Sequence, residues 1–399
     1  MSAPLRIRRV DIHPLSIPLR LRFEHASASR ATADPVVVVL TAEAPFSIHA
    51  GCGETLARRY VTGETAETVV EDIRTALAPR LLDLRGDSFA EVVEFARQLP
   101  ALLDGRLIHA ARCAVELALL DLACKVFRRR LSDVVGWLDM PGFGTPGCLQ
   151  TARYSGVVVG RSERKLARVL RLQRCYGLRD FKIKVATEGW EARLEQAHRR
   201  LERGLASGRL TLRADANGGW TPAQARAALP VLERCGVCAL EQPLPVEHDD
   251  ELPDLAARTR CDLIADESLL TLEDAEELLR GGAVRVFNVR LAKNGGFLPA
   301  LEIARRVLAA GRAVQLGCLV GETSILSAAG VALLETLPEV RFVEGAFGRF
   351  LLRGDVVRRP VQFGPGGRRK PLRGCGLGIE VAGAALKRWQ VREVEPIRF

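Results

Sequence analysis

A (β/α)8-type barrel carrying an α+β capping domain is the fold class predicted for this chain of 399 residues. Three observations predict it. Eight short β-rich runs follow one another from about residue 154, segments rich in Ala, Leu, Arg and Glu separate them, and acidic residues close three successive runs.

The N-terminal region reads as strand, strand, then helices. Arg6–Pro14 and Pro35–Ala42 have β-branched character, Gly51-Cys52-Gly53-Glu54 reads as a turn, and Thr65–Leu81 and Ser88–Leu99 carry helical apolar spacing. Gly105–Arg128 reads as a long helix with an apolar face (Ile108, Ala111, Val115, Ala118, Leu119, Leu122) that ends in a basic cluster, as a helix dipole favours. The eight β-rich runs are Tyr154–Val159, Asp180–Val185, Arg209–Asp215, Val237–Glu241, Cys261–Asp266, Val284–Arg290, Ala313–Cys318 and Val340–Glu344. A doubly wound sheet would also alternate strand and helix, but no Gly-rich phosphate turn follows the first run. The expected division is a capping domain over residues 1–130, a barrel over 131–350, and a Gly- and Arg-rich segment over 351–399 that returns to the cap.

Composition narrows the function classes. The chain is 48% hydrophobic, enough for a large core, and no apolar run approaches the ~18 residues of a membrane span. No apolar stretch follows Arg6, Arg8 and Arg9, so no signal peptide is expected. Ten scattered cysteines fit reduced thiols and a cytoplasmic location, and Cys235-Gly-Val-Cys238 is a lone CxxC with no second pair. The net charge of +10 comes from 51 Arg and seven Lys against 48 acids, interleaved along the chain. With three Tyr and four Trp there is little to stack on bases, so no nucleic-acid partner is expected.

The chemistry is written at the strand ends, where barrel enzymes build their sites. The second run contains Lys182-Ile183-Lys184. The third ends at Asp215, followed by Ala216-Asn217, the fourth at Glu241-Gln242-Pro243, and the fifth at Asp266-Glu267-Ser268. Asp215, Glu241 and Asp266 lie 26 and 25 residues apart, each closing its strand. Three carboxylates at one mouth suit a hard divalent cation such as Mg²⁺, with Mn²⁺ as a substitute. In a strand, residues i and i+2 share a face, so Lys182 and Lys184 point the same way. Like-charge repulsion is then expected to lower their pKa and provide a base. With only seven lysines in the chain, an accidental Lys-x-Lys tripeptide is rare.

These motifs resemble the muconate-lactonizing-enzyme subgroup (mandelate racemase/muconate lactonizing enzyme) of the enolase superfamily. The resemblance runs over nearly the whole chain, through Gly53-Glu54, Tyr60–Glu64, the KxK, DxN, EQP and DES motifs in order, and Lys293-Asn294-Gly295-Gly296. It implies an isomerase or lyase that removes the proton α to the carboxylate of a small molecule and passes through an enediolate. Asp215, Glu241 and Asp266 would hold Mg²⁺, and Lys184 would be the base with Lys182 beside it. Asn217, Glu267, Lys293, Glu322 and Glu344 would support the site or the substrate. Loops around Phe23–Arg30 and Ala57–Thr62, carrying Phe23, His25 and Tyr60, would cover the substrate. Relatives of this kind are homo-oligomers, which the resemblance extends to this chain.

One departure bears on the reaction. Where the subgroup carries a further Lys at the end of the sixth strand, this chain has Asn288-Val289-Arg290. Arg does not act as a base at ordinary pH. The last His is His248, so no imidazole from the later strands replaces the missing Lys. A one-base cycloisomerase or syn-dehydratase is therefore expected, with Arg290 holding the enolate or a second carboxylate. Two alternatives stay open: a two-base racemase or epimerase of amino acids, N-acylamino acids or dipeptides, and an inactive relative that acts as a binding protein.

Overall fold

A computed structural model describes residues 5–25, 28–44, 47–159 and 162–399, with the side chains of 21–29 and 44–48 outside the description. The N-terminal strands are β1 (Arg6–Pro14), β2 (Ile17–His25), β3 (Ala28–Ala33), β4 (Val36–Ala44) and β5 (Ser47–Thr55). β1, β4 and β5 form an antiparallel sheet, and β2 and β3 form a separate hairpin. Helices α1 (Arg59–Thr62), α2 (Ala66–Asp72), α3 (Ala78–Arg80) and α4 (Phe89–Arg97) follow. A small ribbon, β6 (Leu102–Leu103) with β7 (Arg106–Leu107), then leads into α5 (His109–Val126).

Eight parallel strands make the second sheet. They are β8 (Gly156–Val158), β9 (Asp180–Lys184), β10 (Thr211–Asp215), β11 (Ala239–Glu241), β12 (Asp262–Ala265), β13 (Val284–Val289), β14 (Ala313–Leu316) and β15 (Phe342–Val343). Each falls inside one of the eight expected runs and pairs with its neighbour in chain order. The ring closes where Tyr154, just before β8, bridges Val343, and the Ser155 N–H donates to the Val343 carbonyl at 2.8 Å. Helices α6 (Glu163–Cys175), α7 (Trp190–Ala206), α8 (Pro222–Arg234), α9 (Leu252–Ala257), α10 (Leu272–Gly281), α11 (Phe297–Ala309) and α12 (Ser324–Thr336) occupy the crossovers. Beyond them, α13 (Gly348–Leu351) and α14 (Gly383–Trp389) lead to β16 (Ile397–Arg398), which pairs with β1 at Arg9 and Val10.

Two expectations are corrected. Gly51-Cys52-Gly53-Glu54 is not a turn; it lies inside β5. Its glycines answer a close approach: a Cβ on Gly53 would lie 2.0 Å from the Ala114 carbonyl oxygen of α5, and one on Gly51 would lie 2.2 Å from that of Ala118. Nor does α5 carry a single apolar face. From His109 to Cys124 every residue is buried, because the helix runs between the N-terminal sheet and the barrel helices. The β2–β3 hairpin is a further element that the periodicity of the sequence did not reveal.

Three glutamates join these parts by one device. The Glu64 carboxylate accepts from the N–H groups of Ala110 and Ala111, at the start of α5. Glu116, on α5, accepts from Phe297 and Leu298 at the start of α11 at 2.6 and 2.9 Å. Glu54, at the end of β5, accepts from Thr323 and Leu326 at the start of α12 at 2.7 and 2.9 Å. A helix N-terminus has unpaired N–H groups and a positive dipole end, so a buried carboxylate is well placed there. Burial nevertheless pushes Glu54 and Glu116 up to about 7, against the lowering effect of these bonds. The ten cysteines are unpaired, and among the described residues no helix is long and apolar enough to cross a membrane.

Two outcomes follow from this architecture. Gly53→Ala should destabilise the protein by about 1–3 kcal/mol in chemical denaturation, the usual cost of overpacking. Gly136→Ala, whose added Cβ would have nothing within 4 Å, should be neutral. The raised carboxyls set the second outcome. Folded Glu54 and Glu116 keep a proton between about pH 4.5 and 7 that the unfolded chain gives up. The stability they contribute is therefore complete below the lower value and lost as pH rises through the upper one. Melting temperature should fall between pH 5 and pH 8, and Glu54→Gln should shrink that difference whatever it does to stability overall. An unchanged pH slope would contradict this assignment.

Candidate active site

Strand register brings the acidic strand ends together. Asp215 at the end of β10 is the direct partner of Glu241 on β11 and of Lys184 on β9, and Arg213 is the partner of Lys182. Asp266 follows β12 immediately. Asp215, Glu241 and Asp266 have no solvent exposure at all. The motif residues after them shape the turn: Asn217 and Gln242 hold φ of 46° and 37°, in the left-handed region that L-residues seldom adopt. The Gln242 side chain reaches the next strand end, where its Oε1 accepts from the Asp266 and Ser268 N–H groups. The glutamine of the EQP motif thus fixes Asp266.

Buried carboxylates need compensating charge, and cations meet each of these three. The Lys184 ammonium donates to Asp215 Oδ2 at 2.6 Å and to Asn217 Oδ1 at 2.5 Å. Lys182 reaches Asp215 at 3.0 Å, Glu241 at 3.3 Å and Glu344 at 2.8 Å. Arg290 Nη2 contacts Asp266 Oδ2 and reaches Glu241 Oε1 at 3.5 Å. Lys293 donates to the Asp266 carbonyl at 2.5 Å, to Asp266 Oδ1 at 3.1 Å and to the Asn288 carbonyl at 2.9 Å. The pKa directions follow. Burial alone would raise Asp215 and Asp266, but Lys184 and Lys182 outweigh it for the first, and Arg290 and Lys293 for the second, so both are lowered. Glu241 is raised, by burial and by the charge of Asp215. Burial lowers Lys293.

Lys182 corrects an expectation. Its ammonium is not driven down by its neighbour Lys184. Burial pulls it down, yet Glu241, Glu344 and Asp215 outweigh that and hold it above the ordinary lysine value. Lys182 is thus a fixed cation within a cage of carboxylates.

The supporting residues divide. Asn217 bridges Lys184 and Glu267, and burial followed by the charge of Asp266 pushes Glu267 up to about 7. Lys293 and Glu344 stand inside the charged cluster. Glu322 is pushed up to about 8 by burial and accepts from the Leu319 N–H within its own loop. Tyr60 is 39% exposed and lies close enough to Arg58, Arg290, Arg30 and Glu267 to feel their charges. The side chains of Phe23 and His25 lie outside the described residues. Buried Arg58 ties the cap to the barrel by donating to the Val320 carbonyl after β14 and to Asp34. Arg58 lies in the Ala57–Thr62 loop expected to cover the substrate, whereas three residues of this network were not anticipated: Arg213, Asn288 and Gln315. Asn288 and Gln315 donate to Glu241 at 2.9 and 3.1 Å, and Arg213 bonds Ser155 at 2.9 Å and Glu344 at 3.2 Å. The i+2 rule was the available signal, since Arg213 precedes Asp215, and Asn288 precedes Arg290, by two residues on one strand face.

Whether these residues fit a hard divalent cation is a question of donors and of space. Among the described residues, no three Asp, Glu, His or Cys side chains close around one point as a finished ligand set. The donor chemistry fits: three buried carboxylates supply hard oxygen ligands from adjacent strand ends. Around them, Glu267 Oε2, Asn288 Oδ1 and Arg290 Nε are buried without a partner among the described residues.

Residues 165–385, more than half of the chain, match the family model described as enolase C-terminal domain-like. A chloromuconate cycloisomerase of Pseudomonas putida is 26% identical over 94% of this chain and 97% of its own length. A hydrophobic dipeptide epimerase of Enterococcus faecalis is likewise 26% identical, over 94% of this chain and 99% of its own. The crystal structure of a muconate lactonizing enzyme from Pseudomonas fluorescens, complexed with muconolactone, superposes with a TM-score of 0.84 at 22% identity. It covers 97% of this chain and 99% of that one, a likeness of fold.

Proposed function

The chain belongs to the enolase C-terminal domain-like family, in the muconate-lactonizing subgroup of the enolase superfamily, and from its departure at Arg290 we propose a one-base reaction. In this reading the enzyme removes the proton α to the carboxylate of a small molecule and acts as a cycloisomerase or syn-dehydratase of the muconate-lactonizing type. The observation that carries the proposal is the unequal pair across the barrel. Lys184 ends the second of eight ring strands and Arg290 follows the sixth, so the two face each other from opposite sides of the mouth.

Lys184 is the base. Its ammonium is the lysine head at the mouth with the most solvent access, 19% of the side chain, and it is oriented by Asp215 and Asn217. Lys182, more deeply buried and held charged, supplies fixed positive potential beneath it. Asp215, Glu241 and Asp266 would hold Mg²⁺, or Mn²⁺ in its place, and the bound ion would supply Lewis-acid stabilisation of the enediolate oxygens. Opposite Lys184, the Arg290 guanidinium holds an anionic oxygen by charge and hydrogen bonding, and it neither takes nor returns a proton. Lys293 is not a second base in this reading, because its ammonium spends all three N–H bonds on Asp266 and Asn288 and has no exposure. Tyr60 and the segment around Arg58 cover the mouth from the cap side.

The test is α-proton exchange. Unsaturated dicarboxylates, their lactones, and hydroxy and amino acids are incubated in D₂O with Mg²⁺ and followed by proton NMR. At least one should exchange, and Lys184→Ala should lower that rate by roughly 10²–10⁴-fold, the usual contribution of a general base. Full exchange in Lys184→Ala would remove the base assignment. If no acid exchanges and none is turned over, a binding protein becomes the better reading.

A further inference from the structure

Arg290 contacts two of the three carboxylates that the reading above assigns to the metal, and this inference rests on that assignment. The side chain is 9% exposed, its Nη2 contacts Asp266 Oδ2, and it reaches Glu241 Oε1 at 3.5 Å. Room for it is made by Gly317 after β14, where a Cβ would lie 3.0 Å from Arg290 Cγ and 2.2 Å from Asn288 Oδ1. Its backbone is fixed, because the Arg290 N–H donates to Asn294 Oδ1 at 2.8 Å. The guanidinium is incompletely satisfied, since its Nε is buried without a partner among the described residues.

Charge then decides. Ion pairs join five cations, Lys182, Lys184, Arg213, Arg290 and Lys293, to four carboxylates, Asp215, Glu241, Asp266 and Glu344, before any metal enters. A divalent ion added to that set meets like charge at contact distance unless a cation moves away. Lys182 and Lys293 are the least able to move, since each makes at least three contacts to oxygen deep in the barrel. Lys184 and Arg290 each make two side-chain contacts, but Lys184 touches Asp215 alone among the three carboxylates, whereas Arg290 spans Asp266 and Glu241 and keeps its Nε–H unpaired among the described residues. Nor can it relieve the repulsion by losing its proton, as a lysine in its place could. An acceptor stands beside Asp266, because Glu267, the next residue, has its Oε2 buried without a partner among the described residues.

We infer that the guanidinium of Arg290 is a tethered counter-cation of the Asp266–Glu241 pair. A divalent ion must displace it toward Glu267, so that Arg290 sets the metal affinity of this site. The prediction is measured on the full chain, stripped of metal, by titration with Mn²⁺ alone, following free Mn²⁺ by electron paramagnetic resonance. Arg290→Met should bind Mn²⁺ at least tenfold more tightly than the unmodified chain, with Arg290→Lys between them. The metal-free Met variant should melt at a lower temperature than the unmodified chain, and saturating Mn²⁺ should raise its melting temperature by the larger amount. If Arg290→Met does not fold, Arg290→Lys carries the test. Affinities within twofold across folded variants would overturn the inference and leave the metal assignment standing. If neither the unmodified chain nor the variants bind Mn²⁺, the metal assignment fails, and this inference with it.

Discussion

Three carboxylates withdrawn from water at one end of a parallel barrel impose the constraint that the rest of the mouth satisfies. An uncompensated buried carboxylate is costly, and three at adjacent strand ends also repel one another. The chain places a cation against every one of them: Lys184 on Asp215, Lys182 between Asp215 and Glu241, Arg290 and Lys293 on Asp266. Electrostatic repair is therefore shared by every cation of the mouth, the proposed base among them. Lys182 is committed to repair, enclosed by three acids that keep it charged. Lys184, one turn of the pleat higher and more open to solvent, is the one proposed as the base.

The same logic of buried charge joins the elements around the site. Glu54, Glu64 and Glu116 each end on the free N–H groups of a helix N-terminus, on α12, α5 and α11. From α5, His109 bonds the Lys293 carbonyl and the Arg112 guanidinium donates to the Gly295 carbonyl. The loop that presents Lys293 to Asp266 is thereby locked by the helix beneath it. Gly51 and Gly53 complete the joint by letting β5 lie against α5 at a separation no side chain permits.

Much of this was legible in the residues themselves, for identifiable reasons. The barrel could be read because its strands alternate with helices at near-constant spacing, and the acids because strand ends of a parallel barrel share one mouth. Pair geometry was harder to read. Gly51-Cys52-Gly53-Glu54 looks like a turn because glycine serves both turns and close packing, and only the position of α5 tells the two apart. The pKa of Lys182 runs opposite to the expected direction because the adjacent lysine is visible in the sequence, whereas Glu344, 162 residues away, is not. Arg213 and Asn288 carried only the weak signal of sharing a strand face with a recognised residue, and Gln315 carried none. Arg290 could be noticed as a departure, but its contact with Asp266 and Glu241 depends on how far a guanidinium reaches across the ring.

That departure gives the mouth a permanent cation opposite the proposed base. The most direct measurement of this arrangement is the stereochemistry of exchange. An enantiopure acid that the enzyme turns over or exchanges is incubated in D₂O with Mg²⁺, and the α-deuterated product is resolved by chiral chromatography and mass spectrometry. Deuterium is expected in the enantiomer of retained configuration, with none above background in its mirror image. Deuterium entering both enantiomers at comparable rates would contradict the one-base reading, since a second proton carrier would then face Lys184 across the site.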